Sequence, residues 1–91
     1  MNKVLLITYD LKRPGQNYSA LHEEIKKAGT WWHHLESTWI IQTSETPEHW
    51  FDRLFPHIDA SDNIFIIEVK ANYWGWLPKR AWDWLDARTF G

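Results

Sequence analysis

Val4-Leu5-Leu6-Ile7-Thr8-Tyr9-Asp10 decides how the rest of the chain is read. The run is apolar and β-branched without clean alternation, which predicts a first strand buried on both faces. It ends in an acid. A carboxylate delivered to the end of a buried strand stands at a sheet margin, where ligand and metal sites gather, so Asp10 is the first candidate functional residue. The other reading makes Asp10 a loop cap that accepts from nearby backbone N–H groups.

Outward from this strand, Lys12-Arg13-Pro14-Gly15-Gln16 reads as a loop, with Pro-Gly the strongest turn signal in the chain. A helix follows with Asn17 as N-cap, because Tyr18, Leu21, Ile25 and Ala28 recur at helical spacing and Gly29 is placed to end it. Glu23 and Lys27 stand four apart on its outer side and predict a solvated ion pair. Residues 31–43 are aromatic and β-branched on either side of Glu36-Ser37, giving two strands with a tight connection or one long bent strand. Thr46-Pro47 starts a second helix over residues 47–55 that buries Trp50, Phe51 and Leu54 and stops before Pro56. A polar turn, Asp59-Ala60-Ser61-Asp62-Asn63, leads to the last strand at residues 64–69. Beyond Trp74-Gly75-Trp76, Pro78 opens a third short helix with Ala81, Trp82 and Leu85 on its apolar side.

The order β-α-β-β-α-β plus a tail predicts an α+β, ferredoxin-like domain: a four-stranded antiparallel sheet, two helices on one face and a short Trp-rich C-terminal helix. One domain spans residues 1–91, with the core in 1–70 and the tail in 71–91. The strands are apolar at most consecutive positions, so the face without helices needs a cover. Either a second copy packs on it or the Trp-rich tail folds back.

Composition narrows the function. A formal charge of −2 gives no global attraction to phosphates, so any binding of nucleic acid must use a local patch. Cysteine is absent, which excludes disulfides and thiolate sites. Eight Trp in 91 residues imply a tight core, an adhesive surface, or both. The chain opens without a leader pattern and no segment reaches the about 20 apolar residues that cross a bilayer, so a cytoplasmic protein with no membrane partner is expected.

With this element order and the acid at the strand end, the chain resembles the small CRISPR-associated ferredoxin-fold nucleases, the second core adaptation protein of those systems, and their stand-alone bacterial relatives. The shared points are the first strand closing on Tyr9-Asp10, a helix, paired strands with Ser37 at their bend, a second helix and a final strand at residues 63–69, about the first three quarters of the chain. The resemblance implies a homodimer in which the first-strand aspartates face one another and hold a divalent metal, Mg²⁺, to cut phosphodiesters or to support a DNA-integrating complex without cutting. Asp10 carries over as catalytic residue and metal ligand, and Tyr9 and Ser37 as nucleic-acid contacts. Two departures stand out: the loop built on Lys12-Arg13-Pro14-Gly15, and a Trp-rich helix where the family commonly adds a strand.

Other features divide on residue chemistry. Lys12 and Arg13, with Asn17 and Tyr18 just beyond and a helix start alongside, make either a phosphate grip or a charged solvated loop. Glu36, Glu45 and Asp52 have no fixed relation to Asp10, although Glu45 would share its sheet end if the first and third strands ran parallel. His33 and His34 point to opposite faces of a strand and cannot readily hold one ion, which favours structural roles. His22, His49 and His57 receive no assignment. Trp74, Trp76, Trp82 and Trp84 form either a stacking platform for single-stranded bases, with Lys79 and Arg80, or an apolar clamp over the sheet or between subunits; the clamp is the expectation. The leading functional reading is a dimeric nucleic-acid-binding protein that cleaves phosphodiesters with Mg²⁺ at paired Asp10 residues. Its rival is a noncatalytic module for dimerisation or for docking a partner protein.

Overall fold

The computed structural model describes residues 2–12 and 18–90. Arg13 and Asn17, candidates for nucleic-acid contact and helix capping, lie outside the described residues, as does the Pro14-Gly15 turn. The elements run β1 (Lys3–Asp10), α1 (Ser19–Lys26), β2 (Thr30–Leu35), β3 (Thr38–Thr43), α2 (Pro47–Leu54), β4 (Asn63–Glu68) and α3 (Lys79–Asp86), with one 3-10 turn at Phe55–His57. The sheet has four strands in the order β2-β3-β1-β4, every neighbouring pair antiparallel. This is the ferredoxin-like βαββαβ arrangement with an added C-terminal helix, as expected.

β1 occupies the interior of the sheet, and its side chains alternate between two cores. Leu5, Ile7 and Tyr9 face α1 and α2, where Leu21, Ile25, Trp39, Ile41, Trp50 and Leu54 close the main core. Val4 points the other way, into a second core with Trp32, Ile40, Ala81 and Leu85. That second core is the tail's doing. α3 lies on the outer face and Trp32 Nε1 donates to the carbonyl of Ala81 at 3.2 Å, which ties β2 to the helix. The tail therefore covers part of the face left open by α1 and α2.

The helix ends follow local chemistry. Thr46 Oγ1 accepts from the His49 N–H at 3.1 Å, with Pro47 at the first helical position. Gly29 ends the connection after α1 at φ +83°, a conformation that favours glycine. Four details differ from the sequence reading. The ion pairs on α1 are Lys27–Glu24 at 3.0 Å and Lys26–Glu23 at 3.5 Å, not Glu23–Lys27, because the side chains close one residue short. Phe51 is not buried; it packs on exposed Phe55 at the surface of α2. The antiparallel register Lys3↔Thr43 sends Glu45 to the sheet end away from Asp10, where Glu45 pairs with His49 and Arg53. The Trp cluster divides: Trp82 and Trp84 pack against the second core, whereas Trp74 and Trp76 are 98% and 99% exposed.

Cover is also incomplete on the outer face. On β4, Phe65 and Ile67 alternate outward beside Thr8 and Leu6 of β1 and remain 59% and 44% exposed. The uncovered half is thus the β1–β4 half. Among the described residues no helix is long and apolar enough to cross a membrane.

Candidate functional site at the end of the first strand

Asp10 closes β1 opposite Asn63 of β4 and belongs, by alternation, to the outer row with Leu6 and Thr8. Its carboxylate is 67% exposed and meets Lys12 Nζ at 2.9 Å. An exposed pair of this kind contributes little to stability, so the carboxylate can exchange its partner for another cation at small cost. Two cavities flank it. One of about 380 Å³ is lined by Tyr9, Asp10, Leu11, His22, Glu36 and Ser37. A more open one of about 230 Å³ runs along Thr8, Asn63 and Phe65 toward the uncovered half of the sheet.

The Glu36-Ser37 turn reaches this end because β2 and β3 form a hairpin over it. No described residue other than glycine has positive φ, so the turn is not of the mirror-image type that matches strand twist, and β2 shifts register between Trp32 and Leu35. The Ser37 carbonyl accepts from the Tyr9 N–H at 3.1 Å and from Thr8 Oγ1 at 3.3 Å, fastening the turn to β1. Ser37 thus lines a cavity with Asp10, and Glu36 joins the same cavity. Across the shifted strand, His33 stacks on Trp39 at 3.7 Å in the main-core side while His34 meets the edge of Trp32 on the other.

Tyr9 is buried, and its hydroxyl is occupied from within. Trp39 Nε1 donates to it at 2.9 Å, and His22 Nε2 lies 3.1 Å away. Trp can only donate, so the Trp39 bond leaves the phenol its own proton and a second lone pair, and the tautomer of His22 decides which of these meets Nε2. Burial pushes the Tyr9 hydroxyl above its ordinary pKa of 10.0, against the lowering effect of the Trp39 bond, which keeps it protonated and weak as a nucleophile. Burial, then the nearby His33 and Lys26, hold His22 below 6.5, which favours the neutral ring. His22 received no role from the sequence. No spacing rule links Tyr9 to a residue 13 positions away on a helix.

Lys12 is positioned by a second residue that the sequence reading treated only as part of a turn. Asp62, 8% exposed, accepts from the Lys12 N–H at 2.7 Å, from the Asp59 N–H at 2.7 Å and from the Tyr18 hydroxyl at 2.9 Å. One carboxylate thereby gathers the two described ends of the first loop and the approach to β4. Among the described residues no three His, Asp or Glu side chains converge as one metal site. Asp52 is exposed on the outer side of α2, and Glu45 lies at the far sheet end. Comparisons with protein-family models, curated proteins and solved structures find no match.

Proposed function

We propose that two copies associate across the uncovered β1–β4 half of the sheet, that the assembly binds nucleic acid, and that the paired Asp10 carboxylates hold Mg²⁺ for phosphodiester cleavage. One observation carries this reading. Asp10 is an exposed carboxylate at the end of the outer row that borders Phe65 and Ile67, so cover of that strip by a second copy brings two such acids to a common seam. Hard cations take oxygen ligands, and a single chain offers Asp10 with Glu36 lining the same cavity but no cluster of three ligating groups among the described residues. The paired arrangement supplies what one copy lacks. Mg²⁺, when bound, polarises a phosphoryl oxygen and acidifies water. Lys12, drawn beside Asp10, offers a cation to a phosphate, while the neutral His22–Tyr9 pair walls the cavity.

The reading is tested by incubating the protein with single- and double-stranded DNA and RNA, with Mg²⁺ or with chelator, alongside Asp10→Ala. Light scattering should give about twice the 11.0 kDa chain mass for both proteins. Cleavage should require Mg²⁺ and vanish in Asp10→Ala. Cleavage that survives the substitution removes Asp10 from the chemistry. A wild-type dimer that cuts nothing favours the second reading, a noncatalytic interaction module, which the ready-made Asp10–Lys12 pair supports.

A further inference from the structure

We propose that Trp74 and Trp76 form a stacking platform for the bases of single-stranded nucleic acid, with Lys70, Lys79 and Arg80 attracting its backbone. The inference rests on the nucleic-acid reading above and deepens it by assigning the class of strand and the surface that receives it. The bridge between β4 and α3 is held at both ends. Val69 N–H donates to the Val4 carbonyl at 2.9 Å, Tyr73 stacks on Trp82 and donates to Asp86 at 3.1 Å, and Leu77 packs on the second core.

Within the bridge, Tyr73 and Leu77 are half-buried against the second core, and Trp74, Gly75 and Trp76 between them are exposed. A Cβ added to Gly75 would lie 3.9 Å from the Trp82 ring. Trp74 and Trp76 stand in solvent, 98% and 99% exposed. Two indoles separated by one residue offer free aromatic faces on the same stretch of the bridge. An unpaired base can stack on such a face; a base inside a duplex has both faces occupied.

Charge points the same way. The whole chain is formally −2, yet from Val69 through Trp82 it carries Lys70, Lys79 and Arg80 and no acid. Lys79 is paired with Asp83 at 2.9 Å, a contact exposed enough for a phosphate to displace. A cationic flank around two outward aromatic faces matches the backbone-plus-stacking recognition of single strands, which is indifferent to sequence.

The experiment measures anisotropy of a fluorescently labelled oligothymidine and of a duplex of equal length, with wild-type protein, Trp74→Ala/Trp76→Ala, and Trp74→Phe/Trp76→Phe. Wild type should prefer the single strand. The Ala variant should lose between about five- and a hundredfold in single-strand affinity per indole, the Phe variant should recover part of it, and thermal melting should be unchanged because neither ring is in a core. Wild-type binding that the Ala variant retains overturns the platform and leaves the nucleic-acid reading standing on the Lys12 side. No binding by wild type overturns both. Loss of the dimer by light scattering in the Ala variant also overturns the platform, since the indoles then seat a second copy.

Discussion

Asp62 shows how one buried carboxylate governs the site from outside it. Among the described residues it accepts from the backbone N–H groups of Lys12 and Asp59 and from the Tyr18 phenol, and Lys12 N–H is 50 residues away in the chain. Replacement by Ala leaves those donors short of an acceptor, which costs about 1–3 kcal/mol for an unsatisfied buried group. Asp62→Ala should therefore lower stability by about 2 kcal/mol in chemical denaturation, and Asp62→Asn should recover only part of this, because its single amide oxygen keeps one of the two backbone N–H donors while its NH2 faces the other. A variant as stable as wild type would show that water replaces the carboxylate freely. His22 makes a different residue-scale claim. Its folded pKa lies below 6.5, chiefly through burial, so between that lower value and 6.5 the unfolded state binds more protons. Stability contributed by the neutral ring is present above 6.5 and is lost as pH falls through that window. Glu24, held below its ordinary carboxylate value by bonds to Lys27 and then Arg53, loses its contribution only at lower pH, below 4.5. His22→Gln should then flatten the fall in stability between about pH 7 and 5 while leaving the steeper acid limb in place. A variant whose pH profile over that range matches wild type would remove His22 as the cause.

At the scale of elements, the chain announces itself wherever the signal is local. The run ending at Asp10 gave a strand because its apolar residues are consecutive, and Thr46-Pro47 gave a helix start because the cap and the missing N–H lie side by side. The tail helix followed from the spacing of Ala81 and Leu85. Of the candidate site, the neighbourhood alone emerges: Asp10, Lys12 and Ser37 come together at one sheet end. What stayed hidden depends on pairing across the chain. The direction of β3 against β1 decides that Glu36 rather than Glu45 approaches Asp10, and no local pattern encodes that register. Four Trp in the tail looked alike in sequence, yet Trp82 and Trp84 pack against the second core while Trp74 and Trp76 stand in solvent. Composition records that Trp is abundant, not which of its rings the fold covers.

For the whole molecule, the decisive feature is that α3 covers only part of the outer face. Its contacts run to β2 and to the start of β1, through Trp32, Ile40 and Val4. β4 is left both an edge strand and an apolar one, and native edges of that kind are normally shielded or charged. A second copy laid over Phe65 and Ile67 would shield the strip and bring each chain's Asp10 toward the seam. Since these two side chains lie outside both cores, charging them tests association without damaging the fold. Phe65→Lys/Ile67→Lys should scatter light as a single 11.0 kDa chain at concentrations where the proposed wild-type dimer should give twice that mass, and should melt cooperatively. Mg²⁺-dependent cleavage should be lost with the dimer, because separated chains present one Asp10 each. Single-strand binding through Trp74 and Trp76 should persist, weakened only by the loss of bivalence. A doubly charged variant that remains a dimer would exclude the β1–β4 half as the interface, and with it the pairing of the two Asp10 carboxylates.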